Sequence, residues 1–252
     1  MAFLEVSNIR KVFTTRYGGN KVVALSNVNF SVEKGEFVAI MGESGSGKTT
    51  LLNIIAGLED ATSGEVTVDD VNINGIKGDE LARFRRNRLG FVFQEFNLLD
   101  TFTVRDNILL PLVLGGVAPS KMNDKLSALA GKLRITDILE KYPYEISGGQ
   151  KQRAACCRAV ITGPELLLAD EPTGALDSRS SDELLHMFRE LNGDGQTICM
   201  VTHSVKAASF ASRVFFIKDG EVYHQIYRGN LSNTEFYNRI TDSLQVMMGG
   251  GR

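Results

Sequence analysis

Gly42-Glu43-Ser44-Gly45-Ser46-Gly47-Lys48-Thr49 fits the pattern G-x-x-x-x-G-K-[ST], and its flanks decide how it reads. Glu36-Phe37-Val38-Ala39-Ile40-Met41 precedes it as a short apolar run, the mark of a buried strand. Thr50-Leu51-Leu52-Asn53-Ile54-Ile55-Ala56 comes after it with apolar residues at helical spacing until Gly57. Strand, glycine-rich loop and helix in that order make the pattern a P-loop. Its glycines let the backbone wrap close to phosphate oxygens, with amide hydrogens and a helix N-terminus facing the negative charge. Lys48 is then expected to reach the β- and γ-phosphates, and the Thr49 hydroxyl to hold Mg²⁺. Residues Gly42 to Thr50 are the predicted phosphate-binding segment of a nucleoside triphosphate site.

The bulk properties narrow what such a site belongs to. A chain of 252 residues accommodates one large α/β domain, or one domain with a smaller lobe. A formal net charge of −2 offers no electrostatic case for nucleic acid. Three cysteines, two of them adjacent (Cys156, Cys157), do not make a disulfide framework and read as reduced and cytosolic. Met1 to Val6 lacks the charged-then-apolar layout of a secretory leader. The apolar run Ile108 to Leu114, broken by Pro111, is far shorter than the ~20 residues a spanning helix requires. Work at a membrane therefore calls for a partner that docks the chain there, without direct membrane insertion.

Period-2 patterning predicts strands at Phe3–Ile9, Val28–Val32 and Gly64–Val71, with a hairpin loop at Arg16-Tyr17-Gly18-Gly19-Asn20. Asp79 to Leu89 is expected to be a helix whose four arginines form a solvated face, followed by a strand Leu89–Gln94. Between Glu95 and Ile146 the pattern turns helical. Thr103 and Asp106 resemble an N-capping pair for a helix through Leu114, with further helices at Asp124–Leu133 and Thr136–Lys141. From Ser147 strands and helices alternate: a helix to Val160, a strand Leu166–Ala169, a helix Ser181–Leu191 and a strand Thr197–Thr202. A helix Val205–Ser212, a strand Val214–Lys218 and a turn at Asp219-Gly220 come next. Ser232-Asn233-Thr234-Glu235 is a capping box opening a helix with Phe236, Ile240 and Leu244 on one side, before a loose Gly249-Gly250-Gly251 end. Such alternation around a P-loop predicts an α/β fold with a mostly parallel sheet covered on both faces.

Leu166-Leu167-Leu168-Ala169-Asp170-Glu171 is an apolar strand that delivers two carboxylates at its exit. In P-loop enzymes an Asp at that point binds Mg²⁺, which assigns Asp170 to the metal. Glu171, one step on, points elsewhere and is assigned to orient and deprotonate an attacking water. Thr202-His203 ends the next strand, and parallel strand ends gather at one edge, so His203 is expected near the phosphates. His186 and His224 carry no such context and are read as ordinary polar positions. Ser147-Gly148-Gly149-Gln150 opens a helix with a hydroxyl and flexible backbone, a second anion-binding end about a hundred residues beyond the first. A single P-loop does not need two such ends, so the second is expected to serve the nucleotide of another copy.

At this point the chain resembles the ATP-binding subunit of an ABC transporter, over nearly its whole length and with the motifs in order. The resemblance implies an ABC ATPase core, an N-terminal antiparallel β subdomain and an inserted helical subdomain. It implies a single ABC ATPase domain: core 1–94 and 147–230, helical subdomain 95–146 and C-terminal helical extension 231–252. Ser147, Gly148, Gly149 and Gln150 match the signature motif, and Gln94 the Q-loop glutamine that senses Mg²⁺ and the γ-phosphate and meets the membrane subunit. Asp177 matches the D-loop aspartate that signals between copies, His203 the switch histidine, and Phe13 the position where an aromatic ring stacks on adenine, with Tyr17 nearby. The implied assembly is a head-to-tail homodimer enclosing two ATP with Mg²⁺, bound to an integral membrane permease at the cytoplasmic face of a bacterial membrane. Phe93-Gln94-Glu95-Phe96-Asn97-Leu98-Leu99 and Asp170 through Asp177 resemble the branch of lipoprotein-release, macrolide-export and cell-division ATPases. Within it, Asn97 to Val104 and Asn107 to Leu112 are most similar to the bacitracin-type peptide-antibiotic resistance transporters, while Ser204-Val205 and Cys156-Cys157 depart from that group. Soluble ABC proteins of translation or DNA repair fit less well, because this chain has one cassette and no heptad run.

Overall fold

A computed structural model describes residues 2–14, 19 and 21–249 of the chain. Most of the hairpin loop expected at residues 16–20, Tyr17 included, and the end at residues 250–251 lie outside the described residues. The N-terminal region is antiparallel: β1 (Leu4–Thr14) pairs with β2 (Lys21–Val32) on one side and with β4 (Ser63–Val68) on the other. Between β2 and β4 in sequence come β3 (Phe37–Gly42) and α1 (Lys48–Ile55). Strand β1 buries Leu4 and Val6, then shifts register at the positive-φ residue Asn8 so that Ile9 is buried again. A bulge there repairs the parity that strict alternation would lose. The expected strand through Val71 is in fact a hairpin: Asp69 and Asp70 both adopt positive φ and turn β4 into β5 (Val71–Asn72). Two consecutive left-handed residues are the requirement of a type I′ turn, which Asp tolerates better than most side chains.

The chain continues through α2 (Gly78–Arg88), β6 (Leu89–Val92), α3 (Val104–Leu114) and α4 (Pro119–Lys132). Thr103 and Asp106 form the expected capping box. Helix α4 starts five residues before its anticipated position because Pro119 sits at its first turn, where a missing amide hydrogen costs nothing. The helix expected over Thr136–Lys141 is only a 3₁₀ turn at Thr136–Ile138. After α5 (Gly148–Val160) come β7 (Leu166–Asp170), α6 (Ser178–Gly193), β8 (Thr197–Val201) and α7 (Val205–Ala208). Helix α7 stops short of Ser212 because Phe210 and Ala211 take i→i−3 turns that bring the Ser212 amide onto the Phe37 carbonyl. β9 (Arg213–Lys218), β10 (Glu221–Tyr227) and α8 (Asn233–Gly249) complete the chain.

Among the described residues the strands form one sheet in the order β5-β4-β1-β2-β10-β9-β3-β8-β7-β6. Strands β9, β3, β8, β7 and β6 run parallel, while β10 returns antiparallel on β9 and touches β2 at a single parallel pair, Glu221 with Asn27. All six residues of β3 are buried, as a strand covered on both faces requires. Phe37, Ala39 and Met41 enter one core with α3 to α8, and Val38 and Ile40 enter the other with α1 and the antiparallel strands. Cys156, Cys157 and Cys199 are buried free thiols, and loss of hydration pushes Cys157 and Cys199 up to about 12. Phe236, Ile240 and Met247 of α8 are buried in the first core, so this helix packs on its own chain.

Candidate functional site

Parallel register brings the candidate residues to one edge. Val201 of β8 lies opposite Ile40 of β3 and Asp170 of β7, and Val92 of β6 lies opposite Ala169. The segments leaving these strand ends carry the loop from Gly42, Glu171, His203 and Gln94, which therefore emerge on the same side of the sheet. The loop turns through Gly45 (φ +81°) and Gly47 (φ +92°), with the Ser46 amide donating to the Glu43 carbonyl. At Gly47 the constraint is double. Its φ is left-handed, and a Cβ there would overlap the Ala24 carbonyl and the Leu25 side chain. Helix α1 starts at this glycine without a side-chain cap, so its first amides keep no intrahelical acceptor. Leu51, Leu52, Ile54 and Ile55 are buried beneath it, which anchors the loop to the core.

Lys48 is only 8% exposed, and its Nζ donates to the Gly42 and Glu43 carbonyls at 2.9 and 2.7 Å. Burial lowers its pKa from the ordinary lysine value, opposed by the negative charges of Glu171 and Asp170. Thr49 Oγ1 donates to Asp170 Oδ1 at 3.1 Å. Burial raises the Asp170 pKa, and the Glu171 charge adds to this, while the Thr49 hydrogen bond and Lys48 act the other way. Glu171 carries a positive φ of 44°. Its amide is held by the Val201 carbonyl at 2.9 Å, and its carboxylate accepts from His203 Nδ1 at 2.8 Å and from the His203 amide at 3.2 Å. A non-glycine residue at such a φ is maintained only where its surroundings over-determine it. The carboxylate takes Nδ1–H, so Nε2 is the nitrogen left for a ligand, on a side chain 72% exposed. Gln94 and Thr50 line the same cleft of about 650 Å³.

The donor set also bears on a metal. Thr49 and Asp170 converge with oxygens only, and among the described residues no group of three or more His, Cys, Asp or Glu forms a metal cage. Two oxygen donors that leave the remaining positions to water and phosphate suit Mg²⁺, which keeps several waters and shares substrate phosphates.

The second anion-binding end lies elsewhere. Ser147 is exposed and caps α5: its Oγ accepts from the Gln150 amide at 3.3 Å while Gln150 Oε1 accepts from the Ser147 amide at 2.9 Å. The hydroxyl hydrogen and the Gly148 and Gly149 amides remain for an external acceptor. Gly149 is required sterically as well, since a Cβ there would overlap Ser180 of α6. Asp177 caps α6, accepting from the Ser180 amide and hydroxyl at 3.0 and 2.7 Å, and these bonds lower its pKa. None of Ser147, Gly148, Gly149, Gln150 and Asp177 lines the cleft holding Lys48. Phe13 is absent from that lining too: it sits 41% exposed near the end of β1, with Lys11 Nζ 4.8 Å from its ring centroid.

Arg158 has no place among the sequence motifs. It donates to the carbonyls of Phe96 and Asn97, both at positive φ, and so holds the segment just beyond Gln94. The contact joins residues 61 and 62 positions apart, and its only sequence trace is a basic residue within the buried stripe of α5.

Comparison with known proteins gives the family. The family described as ABC transporter covers residues 25–174. The ABC transporter ATP-binding protein YxdL of Bacillus subtilis is 50% identical over 98% of this chain and 95% of its own length. The bacitracin export ATP-binding protein BceA of Halalkalibacterium halodurans is 48% identical over 99% of this chain and 98% of its own length. The ABC cassette MJ0796 of Methanocaldococcus jannaschii, solved as a dimer and in a post-hydrolysis state with ADP and Pi, superposes with a TM-score of 0.82. That comparison is at 38% identity over 89% of this chain and 98% of the solved one. The chain belongs to the ABC transporter family, as one of its ATP-binding ATPase subunits.

Gly149→Ala is expected to lower the free energy of unfolding by about 1–3 kcal/mol, the cost of overpacking α5 against α6. Adding Ser180→Gly should recover part of that loss. Equilibrium urea unfolding of both variants checks this, and a neutral Gly149→Ala would contradict the contact.

Proposed function

We propose that the chain hydrolyses ATP as a head-to-tail homodimer and powers a membrane permease of the peptide-antibiotic resistance type, at the cytoplasmic face of a bacterial membrane. The observation that carries this reading is the separation of two anion-binding ends: Lys48, Thr49, Gln94, Glu171 and His203 line one cleft, and Ser147 with its glycines stands outside it. Pairing two copies brings one copy's Ser147-Gly148-Gly149 to the phosphates in the other's loop, which completes each site with donors a single chain does not bring there. The solved dimer of MJ0796 supports such pairing, and the bacitracin-export relative supports the substrate class. Among the described residues no helix is long and apolar enough to cross a membrane, which fits a peripheral subunit docked by its permease.

In this mechanism the loop amides from Gly42 to Thr50 and the Lys48 ammonium hold the β- and γ-phosphates. Lys48 exchanges the carbonyls of Gly42 and Glu43 for phosphate oxygens, which better compensate a buried cation. Thr49, Asp170 and Gln94 would hold Mg²⁺, which when bound neutralises charge on the β- and γ-phosphate oxygens. Glu171 orients the attacking water and accepts its proton. His203 fixes the Glu171 carboxylate through Nδ1 and turns Nε2 to the γ-phosphate. Gln150 braces Ser147 at the shared site, Asp177 reports across the pair, and Phe13 stacks on the adenine. Residues 1–94 and 147–230 form the catalytic core. Residues 95–146 are the helical lobe that passes closure to the permease, and residues 231–252 are a C-terminal extension whose helix α8 packs on the core.

Glu171→Gln should leave ATP binding intact, reduce turnover at least 100-fold and accumulate a dimer in ATP; adding Ser147→Arg should abolish that dimer without weakening ATP binding to the separate subunit. Gel filtration and a phosphate-release assay read both effects, and undiminished turnover in Glu171→Gln would remove it from its role. In cells, replacing the chain by Glu171→Gln is expected to lower the tolerated bacitracin concentration severalfold, measured beside a macrolide as control. Loss of macrolide tolerance alone would overturn the peptide assignment.

A further inference from the structure

Gln152 on α5 is completely buried, and no step of the hydrolysis mechanism uses it. Its Nε2 donates to the Phe93 carbonyl at 3.2 Å and to the Pro172 carbonyl at 2.8 Å. Phe93 immediately precedes Gln94, and Pro172 immediately follows Glu171. Two carbonyl acceptors fix the amide orientation, since only its nitrogen can donate. Its Oε1 is left buried without a partner, an expense a space-filling residue at this position would avoid. The same helix grips the chain on the far side of Gln94 through Arg158 and the carbonyls of Phe96 and Asn97. Helix α5 therefore brackets Gln94 and touches the exit of Glu171 by one side chain, five residues after the serine that caps its anion-binding end.

We propose that Gln152 is a positioning residue for hydrolysis: it sets the spacing of Gln94 and Glu171 and ties both to the helix that reaches the partner copy's nucleotide. The inference rests on the proposed ATPase function. When α5 shifts as its first turn engages phosphate, the Nε2 fork moves the backbone at Phe93 and at Pro172 together. Gln94 and Glu171 are thereby placed only when the second anion-binding end is in place. A methionine at 152 keeps the length and apolar stem of glutamine and removes both donated hydrogen bonds.

The full chain carrying Gln152→Met, with Gln152→Leu as a second variant, tests this by steady-state hydrolysis and by equilibrium ATP binding to the separate subunit. Both are repeated in the Glu171→Gln background. The expected result is a kcat about tenfold lower, ATP affinity of the separate subunit within twofold of wild type, and no further loss when Glu171 is already glutamine. A kcat within twofold of wild type would overturn the proposal. So would a loss that multiplies independently with Glu171→Gln, or loss of the fold in both variants, which would make Gln152 a structural residue. Absence of hydrolysis by the wild-type chain would instead refute the ATPase reading, a separate outcome.

Discussion

Amide hydrogens at a helix start have no partner within the helix, and in this chain two helices, α1 and α5, leave theirs open from different places. Each end presents donors suited to an anion, yet the Ser147 end of α5 does not line the cleft of Lys48. Much else in the fold serves this arrangement. A fully buried β3 fixes the loop ahead of α1, and Gly47 lets the loop pass under the Ala24 carbonyl. Gly149 lets the start of α5 lie against Ser180 of α6, where Asp177 forms the cap. On the proposed reading, a second copy is what brings two such ends to one nucleotide.

The cleft itself is held in a costly arrangement of charge and backbone. Burial works against ionisation of both Lys48 and Asp170, and each is relieved by the opposite charge of its neighbour. Glu171 keeps a left-handed backbone because its own amide, its carboxylate and the His203 amide are all engaged at once. Strain retained under that many restraints fixes the carboxylate relative to His203, so that the two residues hold one arrangement. On the proposed reading, closure is left to set where Gln94, the Glu171–His203 pair and the opposite copy's helix stand against the phosphates.

The parts legible in the sequence are those encoded locally. The P-loop, the Thr103 and Ser147 caps and the apolar strand ending at Asp170 are each contained in a handful of adjacent residues, and the structure has them at those positions. The parallel core follows from alternation of strand and helix, but the return of β10 between β9 and β2 does not, because pairing Glu221 with Asn27 joins residues nearly two hundred positions apart. The Asp69-Asp70 turn is hidden because two aspartates read as a strand end until both φ values are known. Arg158 and Gln152 escape for another reason: they act on carbonyls, and a backbone acceptor has no residue type to recognise. Phe13 is assigned to adenine by the resemblance alone, and the cleft of Lys48 does not include it.

The central claim is that one chain carries half of each reaction centre. The dependence of specific ATPase activity on subunit concentration tests it most directly, measured beside sedimentation so that the fraction of paired chains is known at each point. Activity per chain is expected to vanish as the protein is diluted into the monomer range, and to rise in proportion to concentration before reaching a plateau. A specific activity that stays constant down to concentrations where sedimentation finds only single chains would contradict it.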